Sequence, residues 1–122
     1  MTKLSELGFV AEGLAAKFLE QRSYKILGHN FRRPWGEIDV IAEKDDIIVF
    51  VEVKAGTTNV AGFEPELRAD WEKMRKVVRT ARTYLSYKKI PPDKAWQIDI
   101  ISVVFEKGRG VAQIKHFKNV EV

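Results

Sequence analysis

The sequence contains no cysteine. That excludes disulfides, thiolate metal sites and a cysteine nucleophile. It also lacks any apolar run approaching the roughly 18 residues a membrane-spanning helix needs. The first residues, Met1 to Glu6, carry no apolar signal segment. A cytoplasmic protein with no membrane partner is therefore expected. There is no internal repeat, no low-complexity tract and no linker, so the 122 residues read as one domain over 1–122. Nor is there a strong excess of one charge. The net value is +4, which permits nucleic-acid binding without requiring it.

What is present is an ordinary core-forming composition, 45% hydrophobic and 31% charged. Leu7, Val10, Ala11, Leu14, Ala15 and Phe18 recur at helical spacing and predict an amphipathic helix over about 5–22, with Ser5 as N-cap. Tyr24–Leu27 reads as a short strand that Phe31–Arg33 continues, before a turn at Pro34-Trp35-Gly36. Glu37–Ala42 alternates and reads as a strand, and Lys44-Asp45-Asp46 as a polar turn. Ile47–Val53 is the most apolar run and reads as a central strand buried on both faces. Residues 55–66 look like a loop. From Trp71 through Met74, Val77, Val78, Ala81, Tyr84 and Leu85 the helical period returns, closed by Pro91-Pro92. Gln97–Phe105 and Val111–Phe117 read as two more strands, the last at an edge. The expected order is αβββαββ, an α/β fold with helices packed on one mixed sheet.

Glu52 interrupts the apolar run where a buried strand would prefer another valine. A buried carboxylate is costly unless it is paired or ligates a metal. Alternation places Lys54 on the same face as Glu52, and groups Glu37, Asp39 and Ile41 on one face of the preceding strand. If the two strands form a hairpin, Asp39 and Glu52 can converge, although a one-residue slip would reverse the faces. Glu52 and Lys54 alone make an ion pair. With Asp39 the group holds two carboxylates and one ammonium, an imbalance that a hard divalent cation such as Mg²⁺ or Mn²⁺ completes. Such a cation, with Lys54 acting on the attacking water or on the developing charge, suits phosphodiester hydrolysis.

Arg68, Lys73, Arg75, Lys76, Arg79, Arg82, Lys88 and Lys89 face only Asp70 and Glu72 in the same stretch, a net +6. Arg75, Lys76, Arg79 and Arg82 fall on or near the outer face of the second helix. Such a stripe is either a solvated face or a binder of the phosphate backbone. Arg32 and Arg33 add to the same surface. Trp35, His29 and Phe63, in or near loops, either stack on bases or pack locally. His116 reads as structural, Trp71 and Trp96 as core or core rim, and Asp99 stands outside the site.

The blocks Gly36-Glu37-Ile38-Asp39-Val40-Ile41 and Phe50-Val51-Glu52-Val53-Lys54 carry a more specific signal. So do Glu12-Gly13 upstream and Ala81-Arg82-Thr83-Tyr84-Leu85 and Ile98-Asp99-Ile100-Ile101 downstream. Together they resemble the YraN-like family of uncharacterised bacterial proteins across nearly the whole chain. That family resembles the restriction-endonuclease-like superfamily and the archaeal Holliday-junction resolvases. The resemblance implies a restriction-endonuclease-like core in which Asp39, Glu52 and the main-chain carbonyl of Val53 ligate Mg²⁺ or Mn²⁺. It implies that Lys54 is the catalytic lysine and Glu12 the helical acid that holds the metal through water. It further implies an endonuclease acting on DNA, branched or otherwise structured, and a homodimer that cuts two strands symmetrically. Family members commonly carry Arg two positions after the lysine, and here Gly56 stands there. That departure keeps open a nucleic-acid-binding domain of the same fold with little or no turnover. A protein-interaction domain with structural acids is the third reading.

Overall fold

The apolar run Ile47–Val53 becomes the middle of a sheet because its side chains find apolar partners on both sides. The computed structural model describes residues 3–58, 71–106, 108 and 110–120. Its elements are α1 (Lys3–Gln21), β1 (Lys25–Arg33), β2 (Gly36–Lys44), β3 (Ile47–Thr58), α2 (Trp71–Tyr87), β4 (Trp96–Glu106) and β5 (Val111–Phe117). The five strands form one mixed sheet in the order β1-β2-β3-β4-β5. Only β3 and β4 run parallel, and α2 lies in the connection between them, as a parallel crossover requires. The α/β class and the order read from the sequence both match. No described helix is long and apolar enough to cross a membrane.

Each helix covers one face. Ala11, Ala15 and Leu19 of α1 pack with Val40, Val49, Val51, Ile101 and Val103. Met74, Val77, Ala81 and Tyr84 of α2 pack with Ile38, Ile41, Ile48, Phe50 and Ile98. Successive β3 residues thus alternate between two cores, which is why the run is continuously apolar.

Several boundaries differ from the periodicity reading. The first helix begins at Lys3, so Ser5 sits within it rather than capping it. Val10, expected on the buried stripe, is 48% exposed. Tyr24–Leu27 and Phe31–Arg33 lie on one continuous course, β1 beginning at Lys25, with a register shift between Ile26 and Gly28. The loop expected over 55–66 begins later, because parallel pairing with β4 carries β3 on to Thr58↔Glu106 and overrides the Gly/Thr composition. Phe63, Arg68 and the rest of that loop lie outside the described residues, as does the side chain of Trp71. The second helix stops before Pro91. Lys89 takes a left-handed φ of 54°, and Ile90 N–H donates to Leu85 O at 2.9 Å, so a capping turn ends it.

The β1–β2 hairpin approaches α2 closely at Gly36. A Cβ there would lie 2.8 Å from Thr80 Oγ1, and that hydroxyl is tied down, donating to Lys76 O at 2.7 Å. Gly36→Ala is expected to lower stability by about 1–3 kcal/mol through overpacking, read as a urea midpoint shift. An unchanged midpoint would show that the hairpin yields freely.

Candidate metal and nucleic-acid site

The β2–β3 ladder runs from Lys44↔Ile47 to Val40↔Val51 and stops there. Beyond it the Asp39 side chain takes the place of backbone pairing: Val53 N–H donates to Asp39 Oδ2 at 2.7 Å. On the other flank Asn30 stands opposite Asp39, between the pairs His29↔Val40 and Phe31↔Ile38, and adopts a left-handed φ of 50°. Asparagine tolerates that conformation better than most residues. With the β3 ladder ended at Val40, the Asp39 side chain turns toward α1, where Glu12 lies.

Strict alternation grouped Glu37, Asp39 and Ile41 on one face. Ile41 instead packs under α2, while Asp39 gathers with Glu12 and Glu37. Carboxylate oxygens of Glu12, Glu37 and Asp39 all lie within 4.8 Å of one another. Asn30 Nδ2 bridges two of them, donating to Glu12 Oε2 and Glu37 Oε1 at 3.0 Å each. Arg32 Nε lies 3.2 Å from Glu37 Oε1. Burial pushes the Asp39 carboxyl up to about 7. The Val53 N–H opposes that shift, and the charges of Glu12, Glu37 and Glu52 add to it.

Glu52 and Lys54 share the α2 face of β3, because the register with β4 is unbroken from Ile48 to Thr58. Glu52 is buried, its Oε1 is 2.6 Å from Lys73 Nζ, and its Oε2 is buried without a hydrogen-bond partner among the described residues. Lys73, itself exposed, thus engages this acid of the site. Lys54 is half-buried. Glu12 and Asp39 meet directly, then, while Glu52 adds its charge from the next strand and Val53 links the two through its backbone.

Arg75, Lys76, Arg79 and Arg82 are all exposed on α2, as the helical spacing predicted. Arg79 lies over the Trp35 ring at 4.0 Å, and Trp35 Nε1 is buried, so that indole packs locally. Asp99, fully buried, accepts from Gln97 Nε2 and from Asn119 N–H and pairs with His116 Nε2 at 2.7 Å. His116 is structural, as expected.

Sequence reasoning missed Glu37 and Asn30 as members of the site. Alternation had already grouped Glu37 with Asp39 on one face, and that grouping was the signal for it. The signal for Asn30 was its place beside Gly28-His29, where an asparagine marks a left-handed position.

The model of the uncharacterised protein family UPF0102 matches residues 11–103, a span that holds every site residue above. The chain belongs to this family. A UPF0102 protein of Fervidobacterium nodosum is 45% identical over 112 residues, covering 91% of this chain and 78% of that one. One from Campylobacter hominis is 39% identical over 102 residues, 84% of this chain and 87% of its own. One from Clostridium beijerinckii is 33% identical over 114 residues, 93% and 91% respectively. The YraN-like resemblance read from the Gly-Glu-Ile-Asp and Phe-Val-Glu-Val-Lys blocks is therefore a true membership. UPF0102 spans the α1–β4 core and leaves β5 beyond the matched region.

Proposed function

We propose that the protein is a Mg²⁺- or Mn²⁺-dependent endonuclease with a restriction-endonuclease-like core, hydrolysing phosphodiester bonds in DNA. The observation that carries this reading is the carboxylate cluster with its unbalanced charge. Three carboxylates crowd together, the Asp39 carboxyl is pushed up to about 7, and Glu52 on the next strand keeps one buried oxygen without a hydrogen-bond partner among the described residues. An all-oxygen donor set of this kind fits a hard divalent cation. Glu12, Glu37 and Asp39 are the side chains that would hold it, with Glu52 adding its charge from the next strand. Val53 adds its carbonyl, which leaves β3 on the same edge as its N–H, beyond the end of the β2 ladder. When bound, the cation supplies polarisation of the phosphoryl oxygen and a more acidic water.

The chain's own residues do the rest. Asn30 holds Glu12 and Glu37 in register. Lys54 donates to the attacking water or to the charge that builds on the phosphate. Lys73 offsets the charge of Glu52. The exposed arginines of α2 hold the phosphate backbone. Gly56, which lies in β3 opposite Val104 and presents no guanidinium, favours the second reading, a DNA-binding domain of the same fold with little turnover.

The test is incubation with linear and branched DNA in Mn²⁺. Product is expected from the native protein, and a loss of at least roughly 100-fold in Glu52→Gln and Lys54→Ala, the scale of removing one electrostatic contributor. No product on any substrate would leave the binding-domain reading standing.

A further inference from the structure

Between α2 and the end of β1 lies an open hollow of about 620 Å³, lined by none of the carboxylates above. Arg33, Arg75, Arg79 and Arg82 all line it, and no acid does among the described residues. On the helix these arginines recur at spacings of four and three, so like charges stack along one face. Such spacing weakens an isolated helix, because neighbouring guanidinium groups repel. A polyanion seated in the hollow offsets that repulsion. Tyr87, the last residue of α2, completes the wall, with its side chain two-thirds exposed. Its ring is flanked by the Arg33 guanidinium at 5.5 Å and Lys88 Nζ at 5.7 Å. Arg33 also stacks on Phe31 at 4.2 Å, and Arg79 on Trp35 at 4.0 Å. Stacking fixes the planes of these two groups and leaves their edges free to donate to phosphate oxygens.

Arg33 of β1 joins the three α2 arginines around this open hollow, an arrangement wider than a stripe along one helix. An exposed aromatic at its wall needs a base with a free face, and bases inside a duplex have none. We infer that this hollow receives an unpaired stretch of nucleic acid, one phosphate held by the arginines and the adjoining base stacked on Tyr87. The inference rests on the nucleic-acid reading above and specifies its substrate as a strand with unpaired nucleotides.

It is tested by fluorescence anisotropy in EDTA, so that cleavage plays no part. The probes are 15-nucleotide single strands of DNA and RNA, and the corresponding blunt duplexes. At least one single strand is expected to bind more tightly than its duplex. Arg79→Glu with Arg82→Glu should weaken that binding at least tenfold and flatten its dependence on salt. Tyr87→Ala should cost the single strand about tenfold and leave the duplex unchanged, and Tyr87→Phe should restore it. Urea midpoints of the variants confirm that they fold. Equal affinity for strand and duplex would overturn the inference, as would unaltered binding in the arginine variant. So would competition by a poly-glutamate peptide as effective as that by the strand. Failure of the nuclease reading shows instead as absent cleavage in Mn²⁺, whatever the binding data give.

Discussion

Asp39→Asn is expected to make the metal-free protein more stable at pH 8, not less. In the folded chain the Asp39 carboxyl titrates at about 7, raised first by burial and then by the neighbouring acids. In the unfolded chain it titrates near its ordinary value of about 3.9. Between those values the folded state binds the proton and the unfolded state has released it. Stability tied to this group is therefore complete below about pH 4 and is lost as pH rises through about 7. Three units correspond to roughly 4 kcal/mol at most, since each unit is worth about 1.36. Asparagine imitates the protonated side chain. It keeps an acceptor for Val53 N–H and does not titrate, so the variant should gain up to that amount at pH 8 and little at pH 4. Urea unfolding at the two pH values measures it. Mn²⁺ should reverse the ranking at pH 8 by stabilising the native protein, in which the ion offsets the crowded charge. The variant should respond weakly. A native protein whose stability is flat from pH 4 to 8, and indifferent to Mn²⁺, would remove the cluster as a cation site.

Asp99→Ala should cause the largest destabilisation, about 3–5 kcal/mol at pH 7, because it strands several buried hydrogen-bonding groups at about 1–3 kcal/mol each. The carboxylate is completely buried beneath α1 and β5. Burial alone would push its pKa up, but His116, the Asn119 N–H and Gln97 together outweigh that and hold it below the ordinary value. Its contribution is thus present at neutral pH and is lost as pH falls through a value below the usual carboxylate range. Alanine leaves three polar groups facing an apolar space. Asp99→Asn keeps acceptors for two of them and should lose less, about 1–2 kcal/mol. Cleavage per folded molecule should be unchanged in both, because Asp99 lies apart from the carboxylate cluster. A loss below 1 kcal/mol in the alanine variant would mean that β5 and the C-terminal turn are not anchored through this residue.

Asp39 and Glu52 show how far the sequence carried. A carboxylate inside Ile-Ile-Val-Phe-Val announced itself, since its burial demands a partner. The partner seen is Lys73, 21 residues away on α2, and nothing in local spacing names it. Asp39 was singled out from its strand and motif, but its facing was misread. The ladder stops at Val40, the strands part, and the side chain turns toward α1.

The sequence alone determined what short-range periodicity encodes: two amphipathic helices, a doubly buried central strand, the order of elements, and the outward basic stripe on α2. These follow from repeats of 3.6 and 2 residues, which any stretch of chain displays without its neighbours. Tertiary structure alone decided which acids gather, that Asn30 bridges them, that Gly36 must lack a side chain, and that Arg33 of β1 joins three α2 arginines around one hollow. Those outcomes depend on where strand pairing ends and how far a helix stands from a sheet. Both are set by packing between segments distant in the chain, so no window of sequence contains them.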